Sequence, residues 1–168
     1  MARKQAVVEN KTDHPDKEVA QLVRWVLREM ECDDSSLAVR VKNSRQGLRG
    51  RFYPRARAHS TEFWSYQSGQ AAIDVKLPVG CSHLITIGLP HVKLYPRQLH
   101  YYSRRETPPA ETLHSWQEAL VAVTAHEAQH HRQWKQRHRR ASGRRRFQFV
   151  ESECDFAGYR LLKRWRAR

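Results

Sequence analysis

The chain has 168 residues, 31 Lys and Arg against 17 Asp and Glu, and a formal net charge of +14. That length suits one domain, residues 1–168, with a real core, and the charge predicts attraction to polyanions such as nucleic acid, acidic polypeptides or anionic lipid. Cys32, Cys81 and Cys154 are widely spaced without a CxxC, which argues against a thiolate zinc site or a disulfide framework. No apolar run reaches the length of a membrane span, and the first residues lack the apolar stretch of a signal peptide. The expectation is a soluble cytoplasmic protein with no membrane partner.

Residues 1–12 read as a flexible leader. In "DHPDKEVAQLVRWVLREM", Val19, Leu22, Val23, Val26, Leu27 and Met30 fall on one helical face, with Asp13 as cap and Pro15 in the permissive first turn. The middle is strand-like. "LAVRV" alternates, "GRFYPRARA" and "EFWSYQ" are aromatic, and "AAIDVKLP" and "HLITIGLP" each close on Leu-Pro. Pro54 restricts the second of these to an edge or bulge. "HVKLYPRQLHYYSRRETPPAE" reads as a long loop. A helix is expected from about Thr107, capped by that residue with Pro108 and Pro109 in its first turn, to about Arg137. A basic loop, 138–146, separates it from a last helix in "FQFVESECDFAGYRLLKRW".

His126, Glu127 and His130 spell HExxH on the long helix. Residues four apart lie one turn apart on one face, so two imidazoles can share a Zn²⁺ while the intervening Glu reaches the attacking water as general base. Phase supports this. The apolar stripe Leu113, Trp116, Leu120 and Val123 continues onto Glu127, His130 and Trp134, so the motif occupies the face that should meet the core. Burying those groups without partners is costly, and a metal resolves the cost. His131 stands about 100° off that face and reads as a bystander.

A catalytic zinc needs a third protein ligand. His138, Glu151, Glu153 and Asp155 are the nearby candidates, and His138 points away from the motif. The last helix has an apolar face through Val150, Cys154, Ala157, Leu161 and Trp165. Glu151 falls about 65° from its centre and Glu153 about 95° away on the other flank. Phase therefore favours Glu151, with Glu153 as the second choice. Asp155, four residues beyond Glu151 on the same flank, suits a carboxylate that orients a ligand imidazole.

His126-Glu127-Ala128-Gln129-His130 and, twenty-one residues on, Glu151-Ser152-Glu153-Cys154-Asp155-Phe156-Ala157 together resemble the gluzincin metallopeptidases, most of all the small minigluzincins. The second stretch is similar to that family's glutamate helix. The resemblance implies an α+β zincin-like domain with an N-terminal backing helix, a short mixed sheet of four or five strands, an HExxH helix and a C-terminal glutamate helix. It implies His126, His130 and Glu151 as zinc ligands, Glu127 as catalytic base and Asp155 behind the ligands. It also implies a peptide substrate antiparallel to the edge strand. Many members place a Tyr or His beyond the glutamate helix to stabilise the oxyanion. Tyr159 is the candidate in that position, with His100, Tyr101 and Tyr102 as others. Similarity to SprT-like proteases is weaker, because no His follows His138.

Two arginine-rich stretches complete the reading. Lys135, Arg137, Arg139, Arg140 and Arg144 to Arg146 crowd the connection between the two motif-bearing helices, and Arg45, Arg49, Arg51, Arg55 and Arg57 surround Phe52 and Tyr53. Such a pattern suits a nucleic acid or an acidic substrate, and equally a solvated loop. The leading expectation is a zinc-dependent metalloendopeptidase acting on a polypeptide substrate. The alternatives are a basic nucleic-acid-binding protein with a non-catalytic metal site, or a protease recruited to DNA.

Overall fold

β-Branched residues at alternate positions build the centre of the sheet. A computed structural model describes residues 5–53, 77–104, 106–140 and 150–168, the side chains of 137–140 excepted. In chain order the elements are β1 (Val7–Lys11), α1 (Asp16–Glu29), β2 (Leu37–Asn43), β3 (Arg49–Tyr53), β4 (His83–Leu89), a 3₁₀ turn (Val92–Leu94), β5 (Arg97–Gln98), β6 (Thr112–Leu113), α2 (Trp116–Arg140) and α3 (Glu151–Arg166). The architecture is α+β. Among the described residues a four-stranded mixed sheet runs in the order β1-β2-β4-β3, and β5 and β6 form a separate ribbon. β1, β2 and β4 are parallel, with α1 as the crossover from β1 to β2, and β3 is antiparallel at one edge.

Val39, Val41, Ile85 and Ile87 share one core with Val19, Val23 and Leu27 of α1 and Leu120 of α2. The opposite face of the sheet carries a smaller apolar cluster of Ala38, Cys81 and Leu84, edged by Val7, Tyr53 and Leu77. Helix α3 packs on α2 at Gly158, where an added Cβ would stand 2.8 Å from the Ala122 carbonyl oxygen. No helix of the described residues is long and apolar enough to cross a membrane.

Several expectations are corrected. Val7–Lys11, placed by sequence in a flexible leader, is the edge strand β1. α1 starts at Asp16 after Pro15 without a side-chain cap, and Asp13 instead accepts a hydrogen bond from Asn43 at 2.9 Å. α2 starts nine residues after Thr107. Pro108 and Pro109 lie in irregular chain that leads into β6, and the start signal is Ser115-Trp116-Gln117-Glu118. There the Glu118 N–H donates to Ser115 Oγ at 3.3 Å, and Glu118 Oε2 accepts from the His114 N–H at 2.7 Å. α2 continues to Arg140, so the first part of the expected basic loop is helical, while 141–149 lies outside the described residues. The expected strand "EFWSYQ" and most of "AAIDVKLP" lie outside them as well.

Arg166 closes the far end of α3 onto this scaffold. Its guanidinium donates to Glu118 Oε1 at 2.9 Å, to Glu118 Oε2 at 2.7 Å and to Glu111 Oε2 at 2.6 Å. Lys163 reaches Glu111 at 2.5 Å. The Lys163 and Arg166 contacts hold Glu111 below the usual carboxylate range. Burial raises the proton affinity of Glu118, and the Arg166 contact outweighs it, so its net shift is also downward. Both native pKa values are depressed, so this contribution to stability is present above the ordinary Glu value and lost as the pH falls below it. Arg166→Ala leaves Glu118 buried without its cation and should cost about 3 kcal/mol at neutral pH. The deficit should shrink below about pH 4.5. Urea unfolding at pH 7 and pH 3.5 checks this, and an equal deficit at both values would refute it.

Candidate metal centre

The HExxH spacing places His126 and His130 one turn apart, and both are buried. Their Nε2 atoms face each other at 3.2 Å, and their rings meet edge to face. Glu151, the first residue of α3, brings Oε2 to 3.4 Å from each of those two nitrogens. Three electron-pair donors thus converge on one point.

The other ring nitrogens are held by α3. His126 Nδ1 lies 3.2 Å from Asp155 Oδ1, and His130 Nδ1 lies 3.3 Å from Cys154 Sγ. A proton on His126 Nδ1, donated to Asp155, leaves the Nε2 lone pair directed at His130 and Glu151. Asp155 is itself fixed, accepting from the Tyr102 N–H at 3.0 Å and the Ser103 N–H at 2.7 Å. These bonds lay the 99–103 segment across the site. The segment is anchored on its far side by Leu99 N–H to the Glu111 carbonyl and by Tyr101 hydroxyl to the Pro109 carbonyl, both at 2.8 Å.

A buried group of His126, His130 and Cys154, with donor atoms all within 4.8 Å, can hold a metal ion. In the sequence Cys154 reads as part of the apolar face of the last helix and not as a metal donor. Two donor sets therefore share the imidazoles. Cys154 meets His130 through Nδ1, on the side of the ring away from Nε2, while Glu151 is equidistant from the two nitrogens that face each other. Burial drives the Cys154 thiol pKa strongly upward in the absence of a metal. The Glu151 set is the better-formed one.

Electrostatics follow burial. Glu127 is nearly inaccessible, and desolvation raises its pKa against the opposing pull of His126 and His130. Burial lowers the His126 pKa, but the Asp155 and Glu151 contacts overcome it and bring it up to about 9. The two imidazole contacts hold Glu151 well below the carboxylate range. Tyr102 and Glu127 line one cleft with His126, and the Tyr102 ring lies 5.2 Å from the His126 ring.

The other candidates sit elsewhere. Glu153 is exposed and accepts from Gln133 Nε2 at 2.8 Å. Tyr159 is outside the cleft, with the Lys163 ammonium 5.7 Å from its ring centre. His138 is in the last turns of α2, and its side chain lies outside the described residues. His131 is fully buried between Phe52 and His83, with burial lowering its pKa to about 4. Lys135 is ion-paired with Asp34.

Two residues that position the site carry no sequence signal. Gly50 of β3 lies over Glu127, where an added Cβ would stand 2.3 Å from Glu127 Oε1 and 2.7 Å from Val123 Cγ1. Gln133 is buried, and its amide bonds Val150 reciprocally. Nε2 donates to the Val150 carbonyl and Oε1 accepts from the Val150 N–H, both at 3.1 Å. This pair fixes the chain one residue before Glu151.

Comparisons of the chain with protein-family models, curated proteins and solved structures find no match.

Gln133→Ala strands both Val150 backbone groups and should cost about 2 kcal/mol. It should also weaken metal binding about 10- to 100-fold, because Glu151 loses its anchor. Chemical denaturation and competition with a chromophoric chelator read the two effects, and unchanged metal affinity would show that Gln133 does not place Glu151.

Proposed function

We propose that the chain is a zinc-dependent metalloendopeptidase of the gluzincin type, with His126, His130 and Glu151 as ligands, Glu127 as general base and Asp155 orienting His126. One observation carries this reading: the triangle of His126 Nε2, His130 Nε2 and Glu151 Oε2, with sides of 3.2, 3.4 and 3.4 Å. Tetrahedral zinc with bonds of 2.0–2.1 Å requires donor atoms about 3.4 Å apart. Two imidazoles and one carboxylate also form a donor set typical of a catalytic zinc that keeps a fourth position open.

A zinc ion held by His126, His130 and Glu151 would supply Lewis acidity for a scissile carbonyl and for water at neutral pH. The protein supplies the proton transfers. Glu127, its proton affinity raised by burial, takes the proton of the attacking water and returns it to the leaving amine. Asp155 holds His126 in the tautomer that leaves Nε2 free. Tyr102 stands in the cleft where Tyr159 does not, and partial burial raises its pKa, so the phenol stays a hydrogen-bond donor for the carbonyl oxygen as charge develops.

Substrate placement follows from the sheet. β3 is the edge strand beside Glu127, and among the described residues no strand pairs with its outer side. An extended polypeptide can add there through backbone hydrogen bonds. Close passage of the β3 backbone over Glu127 demands a residue without a Cβ, which accounts for Gly50.

Purified protein should carry one zinc per chain. His126→Ala and Glu151→Ala should lose it, while Glu127→Gln should keep it and lose about 10²- to 10⁴-fold of the cleavage of an unstructured protein. A wild-type protein without zinc, or Glu127→Gln with full cleavage, would overturn the reading. Gly50→Ala separates geometry from metal binding. Zinc content should be unchanged while cleavage falls, because the new methyl displaces the Glu127 carboxylate. Undiminished cleavage in that variant would remove Gly50 from the site.

A further inference from the structure

The outer face of the sheet, turned away from α1 and α2, collects uncompensated cations at one end. Strand register puts Lys11, Lys42, Gly88 and Arg49 side by side in one row across all four strands. Arg51 lies two residues further along β3 on the same face, and Arg45 is in the connection from β2 to β3. Lys11, Lys42, Arg45, Arg49 and Arg51 are all exposed, and none forms an ion pair among the described residues. Of the nearby carboxylates, Glu9 is paired with Arg40 at 2.6 Å, while Asp13 accepts from the neutral Asn43 at 2.9 Å and offsets one of the five cations.

We propose that this row binds the phosphate backbone of a nucleic acid, independently of the metal centre. Lys11 and Lys42 are direct register partners on neighbouring strands. Like charges in that relation are about 4.8 Å apart at the backbone and destabilise a sheet, and an anion lying on the row relieves the repulsion. The row spans three strand intervals, about 14 Å, so a continuous polyanion can meet several of its charges at once and gain from counterion release.

A bilayer fits less well. Membrane docking needs an apolar surface inserted beside the cations. The apolar cluster of this face, around Ala38 and Leu84, lies at the other end of the strands and is buried. Among the described residues the exposed large apolar side chains are Val79, Val92, Leu94 and Tyr102, none of them in the cationic row.

The test is fluorescence anisotropy with a labelled 20-nucleotide single strand and the matching duplex, titrated with wild-type protein at several salt concentrations. The triple variant Lys11→Ala, Lys42→Ala, Arg45→Ala should bind at least about tenfold more weakly at low salt. It should also reduce the slope of log K against log salt by about 2 for the single strand and about 3 for the duplex, three phosphate contacts being lost. Zinc content and thermal unfolding of the variant should match the wild type, which separates lost binding from lost folding. Lys42→Glu alone should weaken binding in the same direction. A second triple variant, Arg144→Ala, Arg145→Ala, Arg146→Ala, serves as the contrast and should weaken binding less than the sheet variant does. The proposal is overturned by wild-type protein that binds neither probe, or by a sheet variant that binds like the wild type. It is equally overturned by association with phosphatidylserine vesicles in place of nucleic acid.

Discussion

The arrangement depends on how closely α3 approaches α2. Gly158 lets the α3 backbone come so near that a single methyl group would collide with the Ala122 carbonyl. At that separation, Glu151, Cys154 and Asp155, spaced within one turn of α3, reach the two imidazoles that α2 presents one turn apart. A wider spacing would leave two buried histidines and a buried glutamate without partners, which is unfavourable. Gln133 at one end of α3 and Arg166 at the other secure the approach, one through a backbone clamp and one through two buried carboxylates.

The charges within this contact are held against their preference for water. Glu127 sits in almost complete burial with a raised pKa, whereas Glu151, a few ångströms from the imidazoles, is driven the opposite way. Environment has separated two glutamates into a group that seeks a proton and one that stays ionised, a division that suits a base and a ligand. Without a metal the imidazoles and the Glu151 carboxylate attract one another, which raises the His126 pKa and depresses that of Glu151.

Features with a short period were legible in the sequence. α1, β2 and β4 follow from the spacing of Val, Leu and Ile. The phase of HExxH placed His126 and His130 on the buried face, and the phase of α3 separated Glu151 from Glu153, which indeed turns to Gln133. Features set by tertiary contact were not legible. β1 has too few apolar residues to announce a strand and owes its state to pairing with β2. Thr107-Pro108-Pro109 carries a plausible helix start, but Ser115 and Glu118 bond the backbone and begin the helix there. His131 read as a bystander because its position is off the motif face, yet that position points into the space between Phe52 and His83. Gly50, Gln133 and Cys154 act through residues far away in sequence, and no local spacing encodes such a contact.

The sheet separates two environments, and β3 belongs to both. Its alternation puts Gly50 and Phe52 toward α2 and Arg49 and Arg51 toward the opposite face. An edge strand loses little by carrying cations on its outer side, and charge there also protects an unpaired edge from pairing with another chain. The same arginines reach through the strand by their fields. Arg51 opposes the burial-driven rise of the Glu127 pKa, and Arg49 opposes that of Tyr102.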